Sequence, residues 1–376
     1  MRVLMMVSWY SPKGEPINGG IFHYEQAMDL KKYCDMAIYY PYETTLTEKY
    51  SDEMEHGIRT FRSAYDFKRK LYNRQNMFSA MKKIVRDFKP DIIHAQVSTE
   101  VGRFAIILGA LFHIPVMVTE HSTVEASGIA KFPCYWYAKF VFKYSKCNVC
   151  VSDSLSEKLQ EIFPQYTFRT VYNGIAPMRS KAPAQGRYRV PEYINIALVA
   201  GLYDRYIKGI PTLLKVIARL HQEGRKMVLH IVGDGEYRKE FEQIADDLGI
   251  ANQCIFHGQC TRERVQEIVQ EADFLVSASI LESFGCSIAE AQMQGIPVVA
   301  TRCGGPESIV TPKTGILVDK GNEEALYQGI LEMIDTYSKY NCEEIRRYAE
   351  EKFSLDTISR KYYNIYQSIL KEENHE

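Results

Sequence analysis

The chain has 376 residues, of which 46% are hydrophobic and 25% charged, and its formal net charge is −1. This length exceeds one ordinary hydrophobic core and suits two domains, while the near-neutral charge excludes a global electrostatic field for nucleic acid. The nine cysteines are an odd number scattered through apolar segments, which favours reduced thiols in a cytoplasmic protein over a disulfide framework.

The amino-terminal segment, MRVLMMVSWYSPKGEP, predicts a first β-strand. Its apolar run is short and lacks a small-residue cleavage site, so we do not interpret it as a secretory signal peptide. No apolar run reaches the ~18 residues that a membrane-spanning helix needs. We therefore expect a cytoplasmic protein, with peripheral contact to the inner membrane face as the closest approach to a bilayer.

Apolar, strand-like runs alternate with helical patterns from one end of the chain to the other. In the first half these runs are RVLMMVSW, MAIYYP, DIIHAQV, PVMVTEH, CNVCVS and FRTVYNG. A second series opens at residue 194 with INIALVAG and continues with MVLHIVGDG, CIFHG, DFLVSAS and PVVAT. Strands that alternate with helices predict parallel sheets built from βαβ units, and Val/Ile-rich runs are typical of strands covered on both faces.

The two series are separated by residues 176–193, which hold three prolines and little apolar periodicity. This segment is the best linker in the chain. We therefore predict an α/β protein of two doubly wound, Rossmann-like domains that face each other across a cleft. The predicted domains cover residues 1–178 and 179–354.

One stretch, residues 61–90, has a strong local charge bias. It carries nine Lys or Arg against two Asp, an excess of seven positive charges, with Phe and Tyr interleaved. Two interpretations stay open: a solvated helix pair packed by its aromatic side chains, or a surface attracted to an anionic membrane or an anionic acceptor.

Ligands of doubly wound sheets bind beyond the carboxyl ends of the strands, and the second series is richer in polar residues there. Glu282 follows the run DFLVSAS, and Glu290 lies on the second turn of the helix predicted to begin near Gly285. The backbone N–H groups at that helix start would suit a diphosphate. They belong to a segment made of Phe284, Gly285, Cys286 and Ser287.

The two carboxylates could bracket a nucleotide sugar. Glu290 could accept two hydrogen bonds from a ribose diol, and Glu282 could bind sugar hydroxyls. The alternative is structural: an acidic residue that favours the helix dipole, and a second one on the surface.

The loop after INIALVAG carries Arg205 and Lys208, which could stabilise the charge of a departing diphosphate or could be plain solvated cations. Gly233 belongs to HIVGDGEYR, a weak resemblance to a phosphate loop. It is not the dinucleotide fingerprint, because Arg238 stands where the last glycine belongs. No such fingerprint follows the first strand either, which counts against an NAD enzyme.

In the first half, Gly19 and Gly20 precede a helix and could form a second backbone approach to an anion, or a simple turn. His121 ends a buried strand and is a candidate for the cleft, whereas His94 is interpreted as structural. Ser152 could cap a helix or contact a ligand. There is no Asp-x-Asp motif, so we expect cations and a helix end to take the place of a metal.

These residues together resemble glycosyltransferase family 4, whose members have the GT-B fold of two Rossmann-like domains. The most specific resemblance is the E-x7-E motif formed by Glu282 and Glu290. Supporting matches are YNGI at 172–175, KG at 208–209, VGDG at 232–235, GGPESIV at 304–310, the glycine pair at 19–20 and TEHS at 119–122.

The resemblance implies retaining, metal-free transfer of a sugar from a nucleotide-diphosphate sugar to a glycan or lipid-linked acceptor. It implies that Glu282 and the backbone of residues 284–287 hold the donor sugar and phosphates, and that Glu290 holds the ribose. Lys208 would hold the diphosphate and His121 would line the donor sugar. It further implies that the last helix, 355–376, packs back on the first domain.

The chain departs from the family pattern in three places. Leu202 follows Gly201 where an Arg is common, Ser122 follows His121 where an acid is common, and Cys286 replaces a larger apolar residue. Two other functions stay open: a sugar-nucleotide epimerase of the same fold, and a sugar-nucleotide-binding protein without catalysis. The sequence does not choose between UDP and GDP as the carrier.

Overall fold

The computed structural model describes residues 1–15, 19–177 and 187–373. The chain divides into two compact units, Met1–Ala176 with Leu355–Glu376, and Pro177–Ser354, which we call the first and second unit. The predicted domain boundary at 178/179 lies outside the described residues, as do the last three residues of the predicted terminal helix.

The first unit is built on one sheet that has eight strands among its described residues. These strands are β1 (Arg2–Val7), β2 (Asp35–Glu43), β3 (Tyr50–Glu55), β4 (Ile58–Ala64), β5 (Ile92–Gln96), β6 (Val116–Glu120), β7 (Cys147–Cys150) and β8 (Phe168–Thr170). Their spatial order is β3-β4-β2-β1-β5-β6-β7-β8, and only the β3–β4 pair of this sheet is antiparallel in the described part of the chain.

The helices of the first unit cover both faces of this sheet. They are α1 (Ile21–Leu30), α2 (Lys70–Asp87), α3 (Arg103–Phe112), α4 (Val124–Ser127), α5 (Cys134–Tyr144), α6 (Asp153–Ile162) and the terminal helix, which we number α13 (Leu355–Glu373). Because side chains alternate along a strand, Val3 and Met5 belong to one buried cluster and Leu4 to the other. Helix α13 packs on the Val3 side, through Ile358 among others.

The second unit has a sheet of six parallel strands among its described residues. They are β9 (Ile194–Val199), β10 (Met227–Val232), β11 (Cys254–Gly258), β12 (Phe274–Ser277), β13 (Val298–Arg302) and β14 (Gly315–Asp319), in the order β11-β10-β9-β12-β13-β14. The direction of the strand order therefore reverses between β9 and β12, as in the dinucleotide-binding fold.

The helices of the second unit are α7 (Ile210–Gln222), α8 (Arg238–Asp247), α9 (Arg262–Gln270), α10 (Cys286–Met293), α11 (Glu323–Thr336) and α12 (Cys342–Phe353). Their apolar faces cover the sheet: Leu213 and Ile217 of α7 and Ile330 of α11 are fully buried against it. Both units are therefore α/β with largely parallel sheets, which confirms the predicted fold class.

Candidate functional site

The reversal of strand order places the carboxyl ends of β9 and β12 side by side. The loop that carries Lys208 follows β9, and the segment that carries Glu282 follows β12. A crevice at this position is where ligands bind in doubly wound sheets. The topology of the second unit thus brings together two segments that are more than seventy residues apart in the sequence.

Lys208 and Glu282 form an ion pair, with the ammonium nitrogen 2.7 Å from Oε2 of the carboxylate. Their side chains are 29% and 21% exposed, so solvent reaches both groups. The hydroxyl of Ser279 also donates to the same oxygen, at 3.4 Å. Since an ammonium has three donors, Lys208 can keep this partner and still bind a phosphate oxygen.

Glycine at position 209 makes this pairing possible. Gly209 has φ 63°, and a Cβ there would lie 1.9 Å from the carbonyl oxygen of Ala278. Any other residue would push the Lys208 loop away from the end of β12. The backbone contact is completed by Ile280, whose N–H donates to the carbonyl of Ile207 at 2.7 Å.

Helix α10 begins at Cys286, four residues after Glu282, which confirms the predicted start near Gly285. Gly285 caps its amino terminus with φ 105°, and the first helical residues are Cys286 and Ser287, both half-buried. Phe284 anchors the turn: it is 1% exposed and packs edge-on against Phe353, with ring centroids 5.7 Å apart. The first-turn N–H groups and the dipole of this helix favour an anion at its start.

The segment after β13 holds the other side of Glu282. The N–H of Gly305 donates to the backbone carbonyl of Glu282 at 2.8 Å. The carboxylate of Glu307 in turn accepts from the N–H groups of Cys303 and Gly304, at 3.2 and 3.0 Å. The GGPES motif therefore stabilises the turn that presents Glu282.

Glu290 lies on the second turn of α10, and its carboxylate is 3.5 Å from the guanidinium of Arg262. The side chain of Glu290 is 30% exposed, while burial raises the pKa of its carboxyl and Arg262 lowers it in part. Arg262 was missed by the sequence analysis, although it begins the helix after β11 and so occupies a strand-end position.

Two of the predicted donor-binding residues have partners elsewhere in the second unit. Arg205 is about half exposed and lies 2.5 Å from the carboxylate of Glu240. The N–H of Gly233 donates to the carbonyl of Gly258, which ties the end of β10 to the end of β11. Their contact with a donor remains a prediction.

In the first unit the glycine pair lies at the start of α1. The N–H of Gly19 donates to the hydroxyl of Ser11 at 2.8 Å, and Gly20 caps the helix with φ 66°. A Cβ on Gly20 would lie 2.4 Å from the carbonyl oxygen of Trp9, so the turn is tightly packed.

His121 follows β6 and is half-buried, and its Nε2 lies 2.6 Å from the amide oxygen of Gln96. Burial lowers the pKa of the His121 imidazole to about 4, and a hydrogen bond with Asn173 raises it in part. The imidazole is therefore neutral at pH 7. The sequence analysis missed Gln96, the last residue of β5, although it too ends a strand.

The contacts of His94 and Ser152 agree with a structural role for each. His94 is fully buried and both of its ring nitrogens lie 2.8 Å from hydroxyl groups. Ser152 is also fully buried, and its hydroxyl accepts from the N–H of Leu155 as the cap of α6.

Two kinds of feature are missing from the part of the chain that the structure describes. No group of three or more His, Cys, Asp or Glu side chains is arranged to hold a metal ion there. Across the same residues, no helix combines the length and the apolar character needed to cross a membrane.

Two family profiles match the chain, one for each series of strands. The profile described as Glycosyltransferase Family 4 matches residues 35–179, and the one described as Glycosyl transferases group 1 matches residues 184–352. Each half of the chain therefore carries a glycosyltransferase domain, and the first is of the family 4 type. These matches confirm the predicted resemblance to glycosyltransferase family 4.

Among curated relatives, the lipopolysaccharide core biosynthesis glycosyltransferase LpsE of Rhizobium meliloti is 27% identical over 194 residues. This alignment covers 51% of the present chain and 55% of LpsE. The first three curated relatives are matched over only 55% to 63% of their own length.

Solved structures of similar fold cover nearly the whole chain. Sucrose-phosphate synthase of Thermosynechococcus elongatus has a TM-score of 0.78 at 19% identity, over 99% of this chain and 100% of that one. HepE of Anabaena, in complex with UDP-glucose, has a TM-score of 0.73 at 18% identity, over 98% and 100%. At such identities the likeness shows the fold, which is GT-B.

Proposed function

We propose that this protein is a retaining, metal-independent glycosyltransferase that moves a hexose from a nucleotide-diphosphate sugar to a glycan or lipid-linked acceptor. The observation that carries the proposal is the Lys208–Glu282 ion pair at the start of α10, with Glu290 on the same helix. The Lys208 ammonium and the start of α10 suit the diphosphate of such a donor. Glu282 suits its sugar hydroxyls, and Glu290 suits its ribose. The UDP-glucose bound by HepE and the lipopolysaccharide role in the name of LpsE support the same substrate classes.

Each group has a chemical task in this reaction. The bond between the sugar C1 and the diphosphate oxygen breaks while the acceptor oxygen forms a bond to C1 on the same face. The acceptor proton passes to an oxygen of the departing diphosphate. Lys208 and the first-turn N–H groups of α10 stabilise the negative charge that develops there, and so take the place of a divalent ion.

The two carboxylates orient the donor. The carboxylate of Glu282, held by Lys208 and by the turn at Gly305, accepts hydrogen bonds from sugar hydroxyls. Glu290 accepts from the ribose diol, and Arg262 keeps this carboxylate in place. Binding energy from the ribose and the sugar thus places C1 for attack.

We also propose peripheral contact with an anionic membrane, through helix α5. Trp136, Phe140 and Tyr144 of α5 are 58%, 36% and 53% exposed. They are spaced four residues apart and so lie on one face. The ammonium group of Lys139 lies 5.1 Å from the centre of the Trp136 ring, and that of Lys143 lies 5.0 Å from the centre of the Tyr144 ring. Aromatic side chains flanked by lysines suit the interface of an anionic bilayer.

The basic stretch at 61–90 contributes less to such a surface. The predicted helix pair is wrong, because the stretch begins on β4 and contains the single helix α2. Phe61 and Phe88 are buried in the first unit, so the packing by aromatic side chains holds for these two. Phe67 and Leu71, at 80% and 70% exposed, remain accessible. Sedimentation with vesicles containing phosphatidylglycerol should be reduced several-fold by Trp136→Ser with Phe140→Ser, and less by Phe67→Ser. Equal binding to neutral vesicles, or no change in the double variant, would contradict contact through α5.

Calorimetric binding of UDP, GDP and ADP, with and without EDTA, tests the donor site. We expect one diphosphate to bind with micromolar affinity, and EDTA should not change this affinity. Glu290→Ala should weaken the binding. Glu324→Ala is the matched control, because Glu324 is an exposed glutamate of the same unit paired with Arg219. Binding that requires a divalent ion, or no binding at all, would overturn the proposal.

The nucleotide sugar of the carrier that binds then separates the remaining functions. A transferase releases the diphosphate and forms a new glycosidic bond only when an acceptor is present. Conversion of the donor into a different nucleotide sugar without any acceptor would identify an epimerase. Tight binding with neither product would identify a binding protein.

A further inference from the structure

A series of buried polar side chains joins His121 to the interior of the first unit. The Nε2 of His121 lies 2.6 Å from the amide oxygen of Gln96, and the amide nitrogen of Gln96 lies 3.4 and 3.2 Å from the two ring nitrogens of His94. Gln96 and His94 are both fully buried, two residues apart on the same face of β5. Because both ring nitrogens are about equally close, the Gln96 amide lies over the His94 ring rather than beside one nitrogen.

The series continues into the last helix of the chain. The Nδ1 of His94 lies 2.8 Å from the hydroxyl of Tyr366, and its Nε2 lies 2.8 Å from the hydroxyl of Thr119. Thr119 is also 3.2 Å from the hydroxyl of Tyr362. Tyr362 and Tyr366 are four residues apart, so they share the face of α13 that packs on the sheet.

The chemistry of the amide fixes the proton on His121. An amide oxygen can only accept, so the Nε2 of His121 must donate to Gln96, and the imidazole is neutral with Nδ1 as its acceptor. A reversed Gln96 amide would require the opposite tautomer, with the proton on Nδ1.

Asn173 also forms a hydrogen bond with His121, whereas the titratable groups around the ring do not compete for this proton. His23 of α1 meets the His121 ring edge-on, with centroids 5.3 Å apart. Burial lowers the pKa of His23 well below its usual value and that of His94 to about 3, so both are neutral at pH 7. The carboxylate of the adjacent Glu120 accepts instead from the N–H groups of Ser98 and Ser122, at 2.9 and 3.0 Å.

The backbone beside Gln96 is strained, which is a second and independent observation. Val97 has φ 115° and ψ 148°, a region that β-branched residues rarely adopt. Its carbonyl accepts from the N–H of Gly102 at 3.0 Å, and the next residue, Ser98, is bound to Glu120. Such strain clusters at functional sites, where the surrounding structure holds it in place.

We propose that Gln96 is a positioning residue that sets the tautomer and ring orientation of His121, and that helix α13 holds Gln96 in place through Tyr366 and His94. The last segment of the chain thus completes a site whose other parts lie in its first third. The effect on turnover rests on the proposed function, because it requires His121 to line the donor sugar. The tautomer and its dependence on Gln96 do not.

The first experiment is nitrogen NMR of the full chain labelled with 15N-histidine. The chain has nine histidines, and the His121 signals are to be assigned by their loss in His121→Gln. We expect His121 to carry its proton on Nε2 and to remain neutral from pH 8 down to at least pH 5. A proton on Nδ1, or protonation near pH 6.5, would overturn the proposal.

The second experiment replaces Gln96 by an isosteric carboxylate. In Gln96→Glu the new charge would face Nε2 of His121, so the imidazole should be protonated at pH 7, with signals of both N–H groups. Activity should fall on the order of 10²-fold at pH 7 and recover in part at higher pH. An unchanged His121 spectrum in a folded Gln96→Glu protein would contradict direct contact. Should this variant not fold, Gln96→Met must at least change the His121 signals, or the proposal is wrong.

The role of α13 is tested by Tyr366→Phe against Tyr39→Phe. Tyr39 is an equally buried tyrosine of the first unit whose hydroxyl is bonded to Ser63 at 2.9 Å, outside the series. We expect Tyr366→Phe to shift the His94 and His121 signals and to lower kcat several-fold, with donor KM and UDP affinity unchanged. Tyr39→Phe should do neither. Equal effects of both variants would show that the Tyr366 hydroxyl has no specific role in positioning His121.

Failure of the proposed function would be recognised separately. In that case no donor binds or no transfer occurs in the wild-type protein, whatever the spectra show. The NMR results still decide whether Gln96 positions His121.

Discussion

The donor-side residues of the second unit and the polar series of the first unit are built in opposite ways. Lys208, Glu282 and Glu290 are charged and between a fifth and a third exposed. The first two lie on strand-to-helix connections, and Glu290 lies on helix α10. Gln96 and His94 are uncharged, fully buried and completed by a distant helix. Charges that must bind a phosphate have to stay within reach of water, because burying an ion without its ligand is costly. Orienting a neutral imidazole instead needs burial, where a polar group is strictly held by its partners.

The largest effect we expect is acid destabilisation, and it should be stronger in the first unit. Burial lowers the pKa values of three histidines there, and of two, His230 and His257, in the second unit. Burial holds the pKa values of His94 and His121 at about 3 and about 4, below the unfolded value of 6.5. As the pH falls below 6.5, these histidines become protonated in the unfolded chain but stay neutral in the native state. The free energy of unfolding should therefore fall by about 1.4 kcal/mol per pH unit for each histidine, until the native pKa is reached.

Urea unfolding between pH 7 and pH 5 measures this slope. His94→Gln should flatten it, whereas His221→Gln, an exposed change in the second unit, should not. If His94→Gln left the slope unchanged, burial of the neutral His94 imidazole would not be a cause of the acid destabilisation.

In the second unit, loss of the Lys208 charge should weaken UDP binding about 10- to 100-fold, since hydrogen bonds to charged groups contribute roughly 1.5–3 kcal/mol. Lys208→Met keeps most of the side-chain volume, and uridine should bind it almost as well as the wild type. Lys215→Met, an exposed lysine of α7 paired with Glu323, is the control. Arg205→Met measured beside them decides whether Arg205 contacts phosphate or only Glu240.

A smaller effect is expected at the ribose. Glu290→Gln should weaken uridine and UDP equally, by about tenfold, because one charge-assisted hydrogen bond becomes neutral. Burial raises the pKa of the Glu290 carboxyl, so in the wild type the affinity should fall with decreasing pH earlier than an ordinary glutamate would cause. Calorimetry from pH 7.5 to pH 5 measures this decline. A selective loss of UDP over uridine would instead assign Glu290 to the phosphates.

The smallest expected change is at Val97. Glycine tolerates φ 115° and ψ 148° without the penalty of a β-branched side chain, but it costs about 1 kcal/mol more entropy in the unfolded chain. Val97→Gly should therefore change the free energy of unfolding by no more than about 2 kcal/mol. The protein becomes more stable if the strain that is relieved exceeds the entropy cost. A loss of more than this would show that the Val97 side chain contributes packing that outweighs its strain.

Local patterns in the sequence predicted much of the second unit. Alternating apolar runs predicted the strands, and glycine after the run DFLVSAS predicted the start of α10 near residue 285. These features depend on neighbours in the sequence, whose geometry is limited by backbone conformation and side-chain periodicity. The same reasoning missed Arg262 and Gln96, since a polar residue at a strand end gains a role only through its partner.

The sequence by itself determined the two α/β units, the family and the turns that present Glu282 and Glu290. Only the tertiary structure decided that Lys208 pairs with Glu282 and that Tyr366 reaches His94, 272 residues away. The reason is physical: periodicity and turn chemistry act over a few residues, whereas these contacts depend on strand order and on which face a distant helix buries. Within the proposed donor site, the reversal between β9 and β12 is the feature that brings two separate loops to one place.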